Sequence, residues 1–600
     1  MCGIVGFIGQ EKASDVVIKG LERLEYRGYD SCGITFYNPN ESKFVTNKTT
    51  GRVSKLLNEN DYPDNNHLAI GHTRWATHGV ANHSNTHPHY SMNDRFVIVH
   101  NGVIENHKEL VFKYLPDYKF RSETDTEVIV NLIEKFSKEL SVLEAIRKTI
   151  SLLEGSYALL IIDTQDTDKL YAVKNKSPLL IGESDKGIIL GSDVLAFVNY
   201  ADNYYLLEDN SVITVEKINE KYNFEIFDTI GLKIEKPEKH PMDFVTDELD
   251  KAGFEHYMLK EISEQPAVVR KIMSEYMDGN DLKINYKVKS LFEGVNRVYI
   301  LAAGTSYHAG LIGRVYFEEI AKIPTEVFIA SEFAYNEPLI EPNSIFVLIS
   351  QSGETADLRA CLVNVREQGF KTLSITNVPT STLAREADQT LNIYAGTEIA
   401  VASTKAYIGQ IAVLAILSNC LSKQHSLDLV SEMSRAAVSM ENIVDKRDYI
   451  EEVVQKTIKG DHCFYIGRGI DYFVSLEAAL KLKEITYIHT DGLAAGELKH
   501  GPMALIEKDV PVIAIISQDH INNNTRSNLE EAKAREAKPL VISLDNTSKG
   551  NDEIVLMDVH RLLSPLVTII PAQLIAYYKA IDLGVDIDKP RNLAKSATVE

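Results

Sequence analysis

Cys2 stands one residue from the chain start, and removal of Met1 would give it a free α-amine. Such an amine has a pKa of roughly 7.7–8, close to that of the thiol it would deprotonate, so nucleophile and base arrive in one residue. Taken alone, Cys2 reads first as a small hydrophobe in a strand. The polar motifs downstream change that weighing. Arg27 in Tyr26-Arg-Gly-Tyr-Asp-Ser31 and Arg74 in Gly71-His-Thr-Arg-Trp-Ala-Thr-His-Gly79 sit beside glycines and hydroxyls, where a guanidinium can clamp a carboxylate. The run Val99-His-Asn-Gly-Val-Ile104 reads as a strand ending at a turn, where the Asn101 amide and the Gly102 N–H could face a developing oxyanion. Asp125, within Ser122-Glu-Thr-Asp-Thr-Glu127, offers a partner for a substrate ammonium, although such runs ordinarily cap helices. The chemistry these types suit is thiol attack on the side-chain amide of an amino acid.

A second set lies in the other half of the chain. Ala302-Ala-Gly-Thr-Ser306 and Ser350-Gln-Ser-Gly-Glu-Thr355 each follow an apolar run and precede a helical one, and Val401-Ala-Ser-Thr-Lys405 is a third hydroxyl-bearing turn. Backbone N–H groups, hydroxyls and a helix start together bind phosphate without Lys or Arg. Each turn alone could be a simple cap; three in one stretch favour a phosphate site. Glu477, Lys481 and Glu484 fall at i, i+4 and i+7, which commonly marks a surface salt-bridge ladder and less commonly an acid–base site. His500 beside Gly501-Pro502 could shuttle protons, and Lys595, among small residues near the end, could form a Schiff base with a carbonyl sugar.

These groups need elements to position them. Six hundred residues exceed one hydrophobic core, so several domains are expected. The first ~215 residues alternate short apolar runs with turns (Cys2 to Ile8, Gly33 to Tyr37, Leu68 to His72, Phe96 to His100, Tyr157 to Asp163, Gly187 to Gly191), with helices over Thr126 to Phe136 and Val142 to Leu153. A Lys/Glu-rich stretch without periodicity, Asn219 to Pro241, reads as linker, followed by a helix over Phe254 to Met273. The remainder repeats strand, Gly/Ser turn and helix, the pattern of parallel α/β sheets. It also repeats internally: the runs starting at Arg297, Ser344 and Lys371 resemble those starting at His462, Pro511 and Lys538, at offsets of 165, 167 and 167. In the second copy Ser517-Gln-Asp-His replaces Ser-Gln-Ser-Gly, and the acidic residue, Asp519, would repel phosphate, so only the first copy should bind it.

Composition removes other classes. A net charge of -22 argues against broad nucleic-acid binding. The start carries no basic leader, no apolar run reaches a bilayer's thickness, and the five scattered cysteines fit a reducing cytoplasm. Gly467-Arg-Gly469 lacks the third glycine of a dinucleotide fingerprint, so no NAD is expected. His72, His78, His83, His87 and His89 are spread over Asn/Thr/Pro-rich loops without a cysteine, so no metal or other cofactor is expected.

The N-terminal motifs resemble the class II glutamine amidotransferases, whose domain is an N-terminal-nucleophile αββα sandwich. The resemblance spans residues 2–217 and implies Cys2 as nucleophile, Asn101 with Gly102 as oxyanion hole, and Arg74, Thr77, His78 and Asp125 as the glutamine pocket. From the opening Cys-Gly-Ile-Val-Gly to the closing Lys-Ser-Ala-Thr-Val-Glu the chain is similar to the glutamine–fructose-6-phosphate aminotransferase family. That implies an α/β and α+β multidomain chain: a linker over 218–250, flavodoxin-like sugar-isomerase domains over 283–424 and 453–590, and a tail over 591–600. It also implies that fructose 6-phosphate and L-glutamine give glucosamine 6-phosphate and L-glutamate, the entry to hexosamines for cell-wall precursors. Ammonia would be channelled past Trp75, the single tryptophan. Sugar phosphate would sit on Thr305, Ser306, Ser350, Gln351, Ser352, Thr355, Val401 and Ser403. His500 would open the ring across a homodimer interface, Lys595 would form the imine, and Glu484, supported by Lys481, would move the proton between C1 and C2. Amidophosphoribosyl transfer and asparagine synthesis share the glutaminase half but need pyrophosphate or ATP signatures not seen here. A sugar-phosphate-sensing regulator would need a basic DNA-binding segment, and a deglycase would run the sugar–amine chemistry in reverse.

Overall fold

A computed structural model describes residues 2–75, 79–218, 221–242, 250–278, 281–423 and 427–597. The chain divides into two compact units, one formed mainly by residues 1–246 and the other by 247–595.

The first unit holds two antiparallel sheets. One runs Lys239–Pro241, Asn203–Leu206, Leu180–Ser184, Gly187–Gly191, Gly3–Gly9, Leu68–Arg74, Ser31–Asn38, Lys43–Thr50 in spatial order; the other runs Lys233–Ile234, Lys221–Phe227, Ser211–Ile218, Lys169–Asn175, Gly155–Asp163, Phe96–Ile104, His89–Tyr90. The alternation along Phe96–Ile104 shows how the layers form. Val97 and Val99 enter the core between the sheets with Ile4, Ile8 and Ile70, while Phe96 and Ile98 face the helices Thr126–Phe136 and Val142–Ile150. Helix Ala13–Leu24 covers the other sheet, which completes an αββα sandwich. The helix Val142–Ile150 stops short of Leu153, because residues 151–154 turn into the strand that starts at Gly155. The stretch read as linker contains strands: Lys221–Phe227 pairs with Ser211–Ile218, Lys233–Ile234 adds to its edge, and Lys239–Pro241 pairs with Asn203–Leu206. Its charges hid this, since edge strands carry lysines that discourage further pairing.

The second unit opens with helix Tyr257–Tyr276 and contains two five-stranded parallel sheets. The first has the order Thr325–Ile329, Arg297–Ala302, Ser344–Ser350, Lys371–Thr376, Gln389–Asn392; the second has His489–Ala494, His462–Gly467, Pro511–Ile516, Lys538–Leu544, Ile554–Leu556. Both are the flavodoxin-like order 2-1-3-4-5, and paired strands keep the offsets of the sequence repeat. One core joins the copies: Val298, Ile300, Cys463 and Tyr465 point into it, whereas Tyr299, Leu301, Phe464 and Ile466 face separate outer cores. Helices Lys405–Leu421 and Ser564–Leu583 belong to this shared core and are apolar all round. Ser564–Leu583 is long and apolar enough to cross a bilayer, but 83% of its most apolar window is buried here, as in a soluble core helix.

Candidate active sites

Antiparallel pairing of Gly3 with Thr73 brings Cys2 alongside Arg74. The Cys2 thiol lies 3.2 Å from the Trp75 N–H, which donates to it, and the Asn101 side-chain amide donates to the Cys2 carbonyl at 2.9 Å. Burial pushes the thiol's pKa up, while the Trp75 N–H and Arg74 act against that. Arg74 is buried at the end of its strand and donates to the carbonyls of Gly79 (3.0 Å) and Val80 (3.3 Å). That loop is fixed in turn by Asn85, which bonds Val80 and Glu123. The strand runs on through Ile104 rather than turning at Asn101; Gly102 has φ +136, and a Cβ there would lie 1.9 Å from the Ser156 carbonyl, so this position beside Asn101 accepts only glycine. Asp125 precedes helix Thr126–Phe136 without capping it; its carboxylate accepts the Ile104 N–H at 2.8 Å instead, aiming it at the Asn101–Gly102 strand. Cys2, Arg74, Asn101, Gly102 and Asp125 thus converge within one unit. Arg27 is engaged elsewhere, on Asp193 at 2.6 Å. Trp75 packs edge-on against Tyr29. Thr77 and His78 lie outside the described residues.

Beneath this site is a feature that sequence spacing did not reveal. His72 stacks on His87 at 4.2 Å, His87 meets His89, and both His87 and His100 bond the Thr126 hydroxyl at 2.9 Å. Four imidazoles from three strands and a loop support Arg74, Asn101 and Asp125. Burial lowers the pKa of His72 to about 3, and those of His87 and His89 well below the ordinary value. The unfolded chain therefore binds protons that the fold excludes, so stability is complete above about pH 6.5 and falls as pH drops below it. For His72 this costs about 1.4 kcal/mol at pH 5.5 relative to pH 7.5, and His87 and His89 act in the same direction. Urea midpoints of this unit at pH 7.5 and 5.5 are expected to differ accordingly; equal midpoints would refute the buried neutral cluster.

In the second unit the turns after Arg297–Ala302 and Ser344–Ser350 lie side by side, because those strands pair in parallel at the point where strand order reverses. Helices Gly304–Tyr316 and Ala356–Glu367 start there and present N-terminal amides. Ser350 Oγ accepts the Gly353 N–H and bonds the Thr355 hydroxyl, both at 3.0 Å; Ser352 accepts the Glu354 N–H, and Ser306 accepts from Gln410 at 2.9 Å. Gln351 is half-buried on the same turn. Gly353 has φ +66, and a Cβ would lie 1.9 Å from Ser381 Oγ. Gly353→Ala is expected to weaken inorganic phosphate binding at least tenfold by calorimetry, because the turn must open.

The equivalent cradle in the second copy is filled from within. Asp471, at the position of Ser306 by the 165-residue offset, accepts the Ser517 N–H at 2.8 Å and also the Ser517 hydroxyl. Burial raises the Asp471 pKa to about 7, with the Ser517 bonds opposing. The sequence points to Asp519 as the group that excludes phosphate; the carboxylate seated in the cradle is instead Asp471, and Asp519 lies on a short helical turn beyond it.

The Glu477–Lys481–Glu484 face of helix Ile470–Thr486 is not a surface ladder. Side-chain exposures are 0%, 0% and 20%, and Lys481 Nζ lies 3.4 Å from Glu477 and 2.6 Å from Glu484. It also donates to Thr305 Oγ1 at 3.1 Å, and Thr305 donates to Glu477 at the same distance. His308 Nδ1 bonds Glu477 at 2.7 Å, a contact between residues 169 apart that no local pattern could suggest. Burial alone would lower the proton affinity of Lys481, but Glu484 and Glu477 outweigh it and hold the ammonium charged. Burial raises the Glu484 pKa against the pull of Lys481, as suits a group that takes and returns a proton. Lys481→Ala removes the cation shared by the buried Glu477 and the partly buried Glu484 and is expected to cost ~3 kcal/mol in urea unfolding.

Lys595 is docked beside Val401 and Ser403, with a side-chain exposure of 2%. Its ammonium donates to Glu398, the Ala400 carbonyl and Ser403 Oγ, and the Val401 N–H bonds the Asp588 carbonyl. Arg591 stacks on Tyr487 at 4.1 Å, holding the tail against the end of the helix that carries Glu484. His500 is exposed at the end of the short helix Ala495–His500, and its side chain makes no hydrogen bond among the described residues.

Residues 72–199 match the glutamine amidotransferase domain, and residues 291–419 and 457–582 match the SIS domain. The relatives named glutamine–fructose-6-phosphate aminotransferase (isomerizing) from Staphylococcus aureus and Staphylococcus epidermidis are each 49% identical, over 608 and 614 aligned residues, covering 100% of this chain and of each relative. The solved C-terminal domain of glucosamine-fructose-6-phosphate aminotransferase from Francisella tularensis is 37% identical, with a TM-score of 0.53, and covers 57% of this chain and 100% of that one. With full-length relatives at this identity, a glutaminase sandwich and two SIS copies, the chain belongs to the family of isomerizing glutamine–fructose-6-phosphate aminotransferases.

Proposed function

We propose that this enzyme converts fructose 6-phosphate and L-glutamine to glucosamine 6-phosphate and L-glutamate in the cytoplasm, supplying hexosamine for cell-wall precursors. The observation that carries the reading is the presence, on one chain, of the Cys2 pocket and of a phosphate cradle beside Lys481 and Glu484. Once Met1 is removed, the Cys2 amine takes the thiol proton and sulfur attacks the glutamine amide carbon. Asn101 and Gly102 receive the oxyanion, and Arg74, Thr77 and His78 with Asp125 hold the amino-acid end. The tetrahedral intermediate collapses as the Cys2 ammonium returns its proton to the amide nitrogen, which expels ammonia and leaves a γ-glutamyl thioester that water hydrolyses to glutamate. Ammonia then travels inside the protein, with Trp75 as gate. At the sugar, Thr305, Ser306, Ser350, Gln351, Ser352 and Thr355 hold phosphate, Val401 and Ser403 line the carbon chain, and Lys595 forms an imine at C2. Ammonia displaces the lysine, and Glu484, kept in place by Lys481, carries the proton between C2 and C1. The exposure of His500 supports a homodimer in which His500 of the partner subunit assists ring opening.

The test is product formation from fructose 6-phosphate with glutamine labelled in its amide nitrogen, in the presence of unlabelled ammonium. Label retained in glucosamine 6-phosphate is the expected result. Dilution of the label would refute internal transfer, and absence of the product would refute the activity.

A further inference from the structure

Glu398 belongs to no motif in the sequence, yet it is the charged partner of Lys595. The Lys595 ammonium directs its three hydrogens to Glu398 Oε2 (2.6 Å), the Ala400 carbonyl (2.7 Å) and Ser403 Oγ (3.2 Å). Ser403 in turn donates to Glu398 Oε2 at 3.0 Å, while Glu398 Oε1 accepts the N–H groups of Thr404 (2.9 Å) and Ala406 (3.1 Å). The carboxylate is wholly buried and every bond on it is geometrically set. A second carboxyl, Glu261 of helix Tyr257–Tyr276, accepts the N–H groups of Ile399 and Ala400 from the other side, and its Oε2 is buried without a partner among the described residues.

The remaining charges around this pair are already committed. Lys405 is held by Glu264 at 2.6 Å, Lys260 lies 3.7 Å from Glu264, and Lys481 is held by Glu484. Burial first, then Glu398, pushes the Glu261 carboxyl up to about 8, so it stays neutral near pH 7. For Glu398 burial is outweighed by Lys595 and the N–H bonds, which hold it down at about 2. One negative charge therefore meets the ammonium directly in a dry pocket, while Glu484, the other carboxylate whose charge reaches Lys595, is paired with Lys481.

We propose that Glu398 is the acid–base partner of Lys595, holding the ammonium at rest, taking its proton when the amine attacks the sugar carbonyl, and pairing with the iminium that forms. This rests on the reading that Lys595 makes the imine. One ammonium proton moves to Glu398 Oε2, and the freed lone pair makes the bond to C2. The C2–O π pair moves onto oxygen, which takes that proton back from Glu398. A second nitrogen proton follows the same route, the oxygen leaves as water, and the nitrogen lone pair closes the C–N double bond. Two of the three ammonium protons thus depart with the water, the third stays on the iminium, and Glu398 ends as a carboxylate.

The experiment is borohydride trapping of fructose 6-phosphate on the full-length enzyme, located by peptide mass, from pH 6.5 to 8.5. The wild type is expected to label Lys595 at a rate nearly flat with pH, since the pair carries its own proton acceptor. Glu398→Gln is expected to trap about 10²- to 10⁴-fold more slowly at pH 7 and to recover about tenfold per pH unit as solvent takes over deprotonation, with glutaminase activity and phosphate binding retained. Glu398→Asp is expected to keep the flat profile at a lower rate. A Gln variant trapping at the wild-type rate, or slowed equally at every pH, overturns the proposal and leaves Glu398 a packing role; a pH-proportional Asp variant also overturns it. Labelling of another lysine in the wild type would instead overturn the underlying assignment of Lys595.

Discussion

Cys2→Ala is expected to abolish glutamine-dependent glucosamine 6-phosphate formation while leaving conversion of fructose 6-phosphate to glucose 6-phosphate largely intact. The thiol is the only group at its site able to form a thioester, so its loss should lower glutamine turnover on the order of 10⁶-fold, as deletion of other single nucleophiles does. The fold should tolerate the change, because Cys2 is a small residue just before the strand Gly3–Gly9, and among the described residues its thiol bonds only the Trp75 backbone. The sugar site draws its groups from residues 305–595, a separate compact unit. Parallel assays of glutamate release and of isomerisation check this. Loss of both activities in a folded variant would sink the two-site reading, and survival of glutamate release would sink Cys2 as nucleophile.

Lys595→Arg is expected to give the converse. Arginine keeps the positive charge and can still meet Glu398, but a guanidinium is not deprotonated in proteins and cannot become a neutral nucleophile. Synthesis and isomerisation through the imine should fall at least ~10³-fold, and borohydride labelling should vanish, while glutamate release continues. Trapping of sugar on a different lysine would refute the role. The two variants mixed would not complement each other if ammonia passes only within a subunit, which adds a check on internal transfer.

Much of this architecture is legible in the amino-acid sequence, for identifiable physical reasons. Strand alternation and glycine-marked turns are local, so the Gly3–Gly9, Phe96–Ile104 and Ser344–Ser350 strands and the flanking turns announce themselves. The duplication is legible because the repeated strands are buried and keep their β-branched runs. The strands within 221–241 are not, because their outward positions carry lysine and glutamate and no strong apolar alternation survives. Nor can spacing show that Glu477, Lys481 and Glu484 are buried: i, i+4, i+7 defines a helix face, and only helix Gly304–Tyr316, bringing Thr305 and His308, shows that this face is dry. Glu398, Glu261 and Asp471 escape a reading of the sequence for a shared reason. Each acts on a partner far along the chain or through backbone N–H groups, and neither leaves a motif.

The shared core of the two sugar-isomerase copies has a consequence for how the protein is made. Helix Ser564–Leu583 lies in the last tenth of the chain yet fills the layer between both sheets, where Leu566, Ile569, Ile570 and Leu574 are wholly buried. Synthesis runs from the N-terminus at roughly 5–20 residues per second, so the glutaminase sandwich can close early while the apolar faces of both parallel sheets wait for that helix. For those seconds the nascent chain shows a large sticky surface, and a ribosome that stops near residue 560 releases a product that cannot bury it. A chain truncated there therefore lacks Lys595 together with the apolar wedge that packs against both sheets.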